Sequence, residues 1–203
     1  MTSEIYIHLA QKRKKIPEGY LTKSSFVEIS DIFLSPFENF TFEKNVSQTA
    51  LLLPFIGDIK LETSNFDAKL DENKGLMLGN LRDTTFTVSN NYETDIVNFI
   101  YVDFLEKQST VPFDSILLNI ASNRNIWHTI GSDAFIGEWK AREKGSFKSN
   151  ANHTYFIYCV TGVFELEDRL LEAKDSLEIH NVEAFSFEAL APNSIILFFR
   201  KCT

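Results

Sequence analysis

The chain is poor in the residues that build many familiar functional sites. It has two cysteines, Cys159 and Cys202, and four histidines in 203 residues. Two thiols make no disulfide framework and read as reduced thiols of a cytoplasmic protein. Eight glycines and five prolines exclude collagen-like and low-complexity chains. Basic residues are outnumbered, 20 against 28 acidic, so the formal net charge is -8 and the pI is near 5.1. A binder of the nucleic-acid backbone should be basic, so no nucleic-acid partner is expected. No apolar run is long enough to span a bilayer, so no membrane partner is expected either. The start, MTSEIYIHLAQKRKK, does not read as a signal peptide, because its basic run follows the short apolar stretch. Without a secretion signal, the glycosylation triplets at 39, 45 and 152 read as chance matches. QKRKK at 11–15 reads as a solvated face. No G-x-S-x-G, phosphate loop or dinucleotide fingerprint is present.

What the chain has instead is phenylalanine, 19 of them, within 44% hydrophobic residues. A chain of this length buries roughly 70% of its unfolded surface and needs no staples. The apolar residues come in short bursts with a period near two. They include FTFEKNV at 40–46, LLLPFIGDIKLE at 51–62, TTFTVSN at 84–90 and DIVNFIYVDF at 95–104. AFIGEWKAR at 134–142, TYFIYCVTGVFELE at 154–167, AFSFEA at 184–189 and SIILFFRKC at 194–202 follow. Side chains alternate across a strand, so this spacing predicts half-buried β-strands. SNNYE, EKGSFKSNANH, EAKD and APNS read as the turns between them. One helix is predicted, over 113–126, where Ile116, Leu117, Ile120 and Ala121 fall on one helical face behind a capping Asp114.

The two halves repeat. Laying 52–62 over 157–167 puts Gly57 on Gly162, Leu61 on Leu166 and Glu62 on Glu167. Each piece reads as apolar strand, glycine turn and alternating strand. A charged turn, a Phe-bearing strand and a closing apolar strand come next in both halves. A duplicated β-domain is the reading.

The segment VTGVFELEDRLLEAKDSLEIHNVEAFSFEALAPNSIILFF (160–199) resembles the C-terminal cupin of pirin-like proteins. That family carries a V-x-G-x-V strand, an L-x-A-G-D turn and a closing V-L-L-F strand. The first half, with HLAQKRKKI, SSFVEISDIF and SNNYETDIVNFIYVDF, resembles the N-terminal cupin of bacterial pirin-like bicupins. The resemblance implies an all-β chain of two tandem cupin jelly-roll barrels with a short helical linker. Residues 1–108 would form the N-terminal cupin-like barrel, 109–126 the linker with its helix, and 127–203 the C-terminal barrel.

Catalytic members of the family resemble quercetin dioxygenases. They hold an iron-type metal in the N-terminal cupin through three histidines and a glutamate. Two of those histidines form an H-x-H pair, which a strand aims to one side. Here the corresponding stretch is FEKNVSQTALLLPFIG, with Glu43, Asn45 and Thr49 near the ligand positions and Arg82 in the region of the third ligand. No histidine lies between His8 and His128. The N-terminal cupin is therefore expected to hold no family-type metal and to need no cofactor. The second cupin offers a non-family alternative from His153, His180 and Glu178. The plainer reading makes His153 a loop or strand-edge polar residue and His180 an ordinary turn residue. Cys159 reads as a small buried hydrophobe, and Trp127 and Trp139 read as core or as the lining of an aromatic pocket.

The sequence thus reads as a pirin-like bicupin without the family metal. It acts as a non-catalytic module that binds a small organic ligand or a protein partner, with Glu43, Asn45, Thr49 and Arg82 as ligand contacts. The alternative is a divergent quercetinase-like dioxygenase with its metal moved to the C-terminal cupin. A monomer or a homodimer paired through an exposed sheet edge fits either reading.

Overall fold

The computed structural model describes residues 4–44, 49–64, 66–72, 74–79, 84–105, 114–117, 123–130 and 133–202. Most of them are in strands. The first half runs β1 (Glu4–His8), β2 (Lys14–Ile16), β3 (Gly19–Lys23), β4 (Val27–Leu34), β5 (Asn39–Lys44) and β6 (Thr49–Ile56). It continues with β7 (Ile59–Thr63), β8 (Asp67–Leu70), β9 (Lys74–Leu78), β10 (Thr84–Ser89) and β11 (Val97–Phe104). Then come β12 (Asp114–Leu117), β13 (His128–Thr129), β14 (Ala134–Trp139), β15 (Lys144–Thr161) and β16 (Val163–Leu166). The last three are β17 (Arg169–Glu172), β18 (Ser176–Ala189) and β19 (Ser194–Cys202). A single 3-10 turn, Ala10–Lys12, is the one helical element among the described residues.

The chain divides into two compact units. The N-terminal unit is Lys14–Leu118. The C-terminal unit is Asn119–Thr203 together with Met1–Arg13, so the first strand groups with the far half of the chain.

In the N-terminal unit a four-stranded sheet, β5-β10-β7-β8, and a seven-stranded sheet, β12-β9-β6-β11-β4-β3-β2, share one apolar core. Leu52, Leu61, Phe86, Val88 and Phe99 are among its fully buried members. The two sheets show the two kinds of strand sequence. β5 alternates exposed and inward residues, as a strand with one wet face must. β11 (VNFIYVDF) is buried at all eight positions, and its near-continuous apolar run reflects that. Pro54 sits inside β6, where it has no N–H to give to the ladder. The β6–β11 register slips at that place, Phe99 facing Pro54 and Asn98 facing Ile56. Asn90, only 1% exposed, closes the turn after β10. Its amide donates to the carbonyls of Leu34, Ser35 and Asp95, and its side-chain oxygen accepts from Tyr92 N.

In the C-terminal unit the strands run β13-β14-β19-β15-β18-β16-β17, with β1 also paired to β18. The long β15 and β18 carry register shifts between Lys148 and Tyr155, where such strands bend. Residues from β14 to β19 then close over one core that includes Tyr155, Phe164, Leu171, Phe187 and Phe198.

Two expectations are corrected. The predicted helix over 113–126 is not formed where the chain is described: residues 114–117 are β12, paired antiparallel with Lys74–Met77 of β9. Pairing to an existing strand overrides the modest helical spacing of so short a segment. Residues 118–122 lie outside the described residues. The turn predicted at 143–153 is part of β15, held by its ladder to β18. The repeated glycine turns do correspond. Gly57 and Gly162 both take left-handed backbone, with φ of 71° and 82°. A Cβ on Gly162 would fall 2.0 Å from Ser194 Oγ.

Candidate functional site

In the N-terminal unit the alternation of β5 sends Phe40, Phe42 and Lys44 toward the core and Asn39, Thr41 and Glu43 outward. On β11 the same parity sends Phe99, Tyr101 and Asp103 inward. These two strands therefore bring Lys44, Tyr101 and Asp103 together. The Lys44 ammonium is ion-paired with Asp103 Oδ2. The Tyr101 hydroxyl donates to Asp103 Oδ1 at 2.7 Å. Lys44 Nζ lies 4.9 Å from the Tyr101 ring centroid, within cation–π range. The Tyr101 ring packs 4.2 Å from that of Phe42, which stacks on Phe86 at 4.8 Å. Lys44 and Asp103 keep only 14% and 8% of their side-chain exposure. Burial raises the Tyr101 pKa strongly, and the Asp103 charge adds to it, so the phenol stays protonated and donating.

Of the four residues proposed from sequence as ligand contacts, two are described, Glu43 and Thr49. Glu43 is exposed on the outer side of the four-stranded sheet, opposite Thr85 of β10. Thr49 is buried, but it has the opposite parity to Ala50 and Leu52, the core-facing residues of β6. Asn45 and Arg82 lie outside the described residues. A one-residue difference in strand parity moves every side chain to the other face. The motif that carries the cluster, Tyr101-x-Asp103 opposite Phe42-x-Lys44, is visible in the sequence as two i, i+2 pairs.

In the C-terminal unit, His180 Nε2 is 3.4 Å from Glu178 Oε1, and His180 Nδ1 is 3.2 Å from Thr154 Oγ1. The other imidazole near Glu178 is not His153 but His8, with Nε2 3.8 Å from Oε2. β1 brings it there by pairing Glu4–His8 with Ser176–His180. His153 instead lies opposite Val182, its ring beside Tyr155. His180 is a strand residue of β18, not a turn residue. Among the described residues no group of three His, Cys, Asp or Glu side chains is arranged to hold a metal ion.

The interior of the C-terminal unit is occupied by rings. Trp127 meets Phe198 edge-on at 4.8 Å and Trp139 at 5.5 Å, and Phe135 stacks on Phe198 at 4.7 Å. Arg200, paired with Asp133 at 2.8 Å, lies over Phe135 and Phe147. Cys159 is buried, and desolvation pushes its thiol up to about 12, so it is a poor nucleophile.

A cavity of about 340 Å³ lies on the N-terminal unit, lined by residues of β7, β8 and Asn91–Tyr92. Lys69 is held by Asp58 at 2.6 Å and Lys60 by Glu62 at 2.7 Å. The Tyr92 hydroxyl accepts from Asp58 N at 3.1 Å.

Two sheets over an aromatic core make one unit, and long bent strands closed over a second core make the other, with antiparallel pairing in both. Residues 123–199 match the family described as the quercetinase C-terminal cupin domain. A search of curated proteins finds no match. The chain is similar in fold to bacterial pirin YhhW from Escherichia coli, solved in complex with nickel(II). The TM-score is 0.75 at 12% identity, covering 98% of this chain and 100% of that one. Quercetin 2,3-dioxygenase from Acinetobacter baumannii gives a TM-score of 0.73 at 10% identity, covering 97% and 85%. The protein YhaK from Escherichia coli gives 0.73 at 13%, covering 97% and 93%. The resemblance to pirin-like cupins is thus carried by the sequence of the C-terminal unit and by the fold of the whole chain.

The metal that this resemblance implies does not fit the described residues of this cluster. A transition ion needs imidazole and carboxylate donors. Among the described residues the polar groups gathered here are the Lys44 ammonium, the Tyr101 phenol and one carboxylate bonded to both. An ammonium has no lone pair to offer.

Proposed function

We propose that this chain is a bicupin of two tandem barrels whose N-terminal barrel has lost the metal chemistry of its relatives. It acts as a non-catalytic binding module for a small organic molecule. One barrel is built from residues 14–118, and the other from 119–203 completed by β1. A cytoplasmic location belongs to the same proposal. The observation that carries it is the Lys44–Asp103–Tyr101 cluster packed against Phe42 and Phe86, an inward polar centre built without imidazole. Binding is assigned to the 340 Å³ cavity beside Tyr92, which is of the size that holds small ligands. Its lysine–carboxylate pairs and its aromatic ring suit a polar, partly aromatic molecule. The alternative of an oxygenase at His153, His180 and Glu178 keeps only the His180–Glu178 contact in its favour.

The test is a thermal-shift and NMR screen of small aromatic acids and amines, with Asn91→Trp as the occluding variant. Binding that shifts signals of β7 and β8 and is lost in Asn91→Trp supports the reading. Oxygen-dependent turnover of quercetin by the purified chain overturns it.

A further inference from the structure

The cluster of the N-terminal unit is arranged as a cation site. Asp103 of β11 faces Glu28 of β4 directly across the ladder. Two carboxylates opposed in this way repel unless cations compensate them. Glu28 is answered by Lys23 at 3.1 Å, on its exposed side. Asp103 is answered by Lys44, which comes from the other sheet of the unit. The site offers the ammonium a carboxylate oxygen and the face of Tyr101 at 4.9 Å. Tyr101 fixes that carboxylate through its other oxygen. A carboxylate combined with an aromatic face selects an organic ammonium. Among the described residues it has no imidazole or thiolate to hold a transition ion.

We propose that the Lys44 ammonium is the resident cation of this barrel, a tethered group that occupies a primary-ammonium site. This rests on the reading that the barrel carries no metal. Without Lys44, the site binds a free alkylammonium ion of matching length and remains indifferent to divalent transition metals.

The experiment compares the thermal midpoints of the full-length chain, Lys44→Ala, and Lys44→Ala combined with Asp103→Asn. Each is measured with n-propylammonium, tetraethylammonium, nickel(II) or iron(II) chloride at matched ionic strength. Lys44→Ala should lose several degrees. n-Propylammonium, which replaces the three carbons and the ammonium that alanine lacks, should restore most of that loss, and the other three should not. The double variant should show no recovery, because the carboxylate charge is gone. Should Lys44→Ala not fold alone, its refolding should depend on n-propylammonium. Equal responses of the single and double variants to n-propylammonium, or recovery with tetraethylammonium or either metal, would overturn the proposal. Elemental analysis of the unmutated chain separates the two readings. One tightly held metal per chain sinks the metal-free reading, whereas a metal-free chain with no ammonium recovery sinks only this inference.

Discussion

The C-terminal unit fills its interior with interlocking rings from Trp127, Phe135, Phe147, Tyr155, Phe185 and Phe198. The N-terminal unit seats a lysine and an aspartate among its rings. Both interiors lie against antiparallel β-sheets, so the difference lies in the residues. An apolar interior rich in rings needs only shape. A buried ion pair needs every partner in place, because desolvation costs about as much as the attraction returns. The C-terminal unit's ring cluster therefore reads as a packed scaffold. The N-terminal unit retains a polar centre that packing alone does not require.

The largest effect should come from breaking the aromatic interior. Phe198→Ala removes a fully buried ring that touches Trp127, Phe135, Phe147, Tyr155 and Phe185. It should cost about 3–5 kcal/mol in a denaturant titration. A loss under about 1 kcal/mol would show that these rings are loosely packed. Next is the polar interior. Asp103→Leu leaves Lys44 buried without its carboxylate and should cost roughly 3 kcal/mol, the low end for a buried pair because Lys44 keeps some exposure. Joining it to Lys44→Met should recover most of that loss. If the double variant is as unstable as the sum of its parts, the two residues are not acting as a pair.

The N-terminal strand sharpens the comparison at its seam in sequence. Asp175, 6% exposed, accepts from Ala10 N at 2.6 Å and from Glu172 N at 3.0 Å. Asp175→Ala should cost about 2–3 kcal/mol. It should also speed amide exchange in β1, measurable by hydrogen–deuterium exchange. Unchanged protection of residues 4–8 would mean that pairing with β18 holds the strand unaided. The smallest effect concerns Cys159. Its thiol titrates near 9.0 in the unfolded chain and is pushed up to about 12 in the folded one. Above pH 9 the unfolded state releases its proton first, so folded stability holds below that pH and falls as pH rises further. At pH 8 a thiol reagent should label Cys159 only after denaturation, and rapid labelling of the native chain would show that this strand opens.

The strand pattern was legible because alternation and turn residues survive in the sequence. FTFEK, TTFTVS and SIILFFRKC each became the strand that their spacing predicted. The two glycine turns were legible for a steric reason, since both need left-handed backbone. Parity was not carried through to the site. Placing Phe40 and Phe42 inside forces Lys44 inside and Glu43 out, and that was available from the alternation alone. The pairing of β1 with β18 was not available, because nothing local in EIYIH names a partner more than 160 residues away. His8 was missed for that reason. The strand at 114–117 was missed because its partner β9, not its own spacing, decides its conformation.

The central claim is the proposal that the N-terminal unit seats its own ammonium at an inward carboxylate and holds no transition metal. The most direct measurement is elemental analysis of the purified chain after expression with added iron, manganese and nickel. Well under one transition ion per chain is the predicted result. About one tightly held ion per chain, lost on Lys44→Ala or Asp103→Asn, would contradict it.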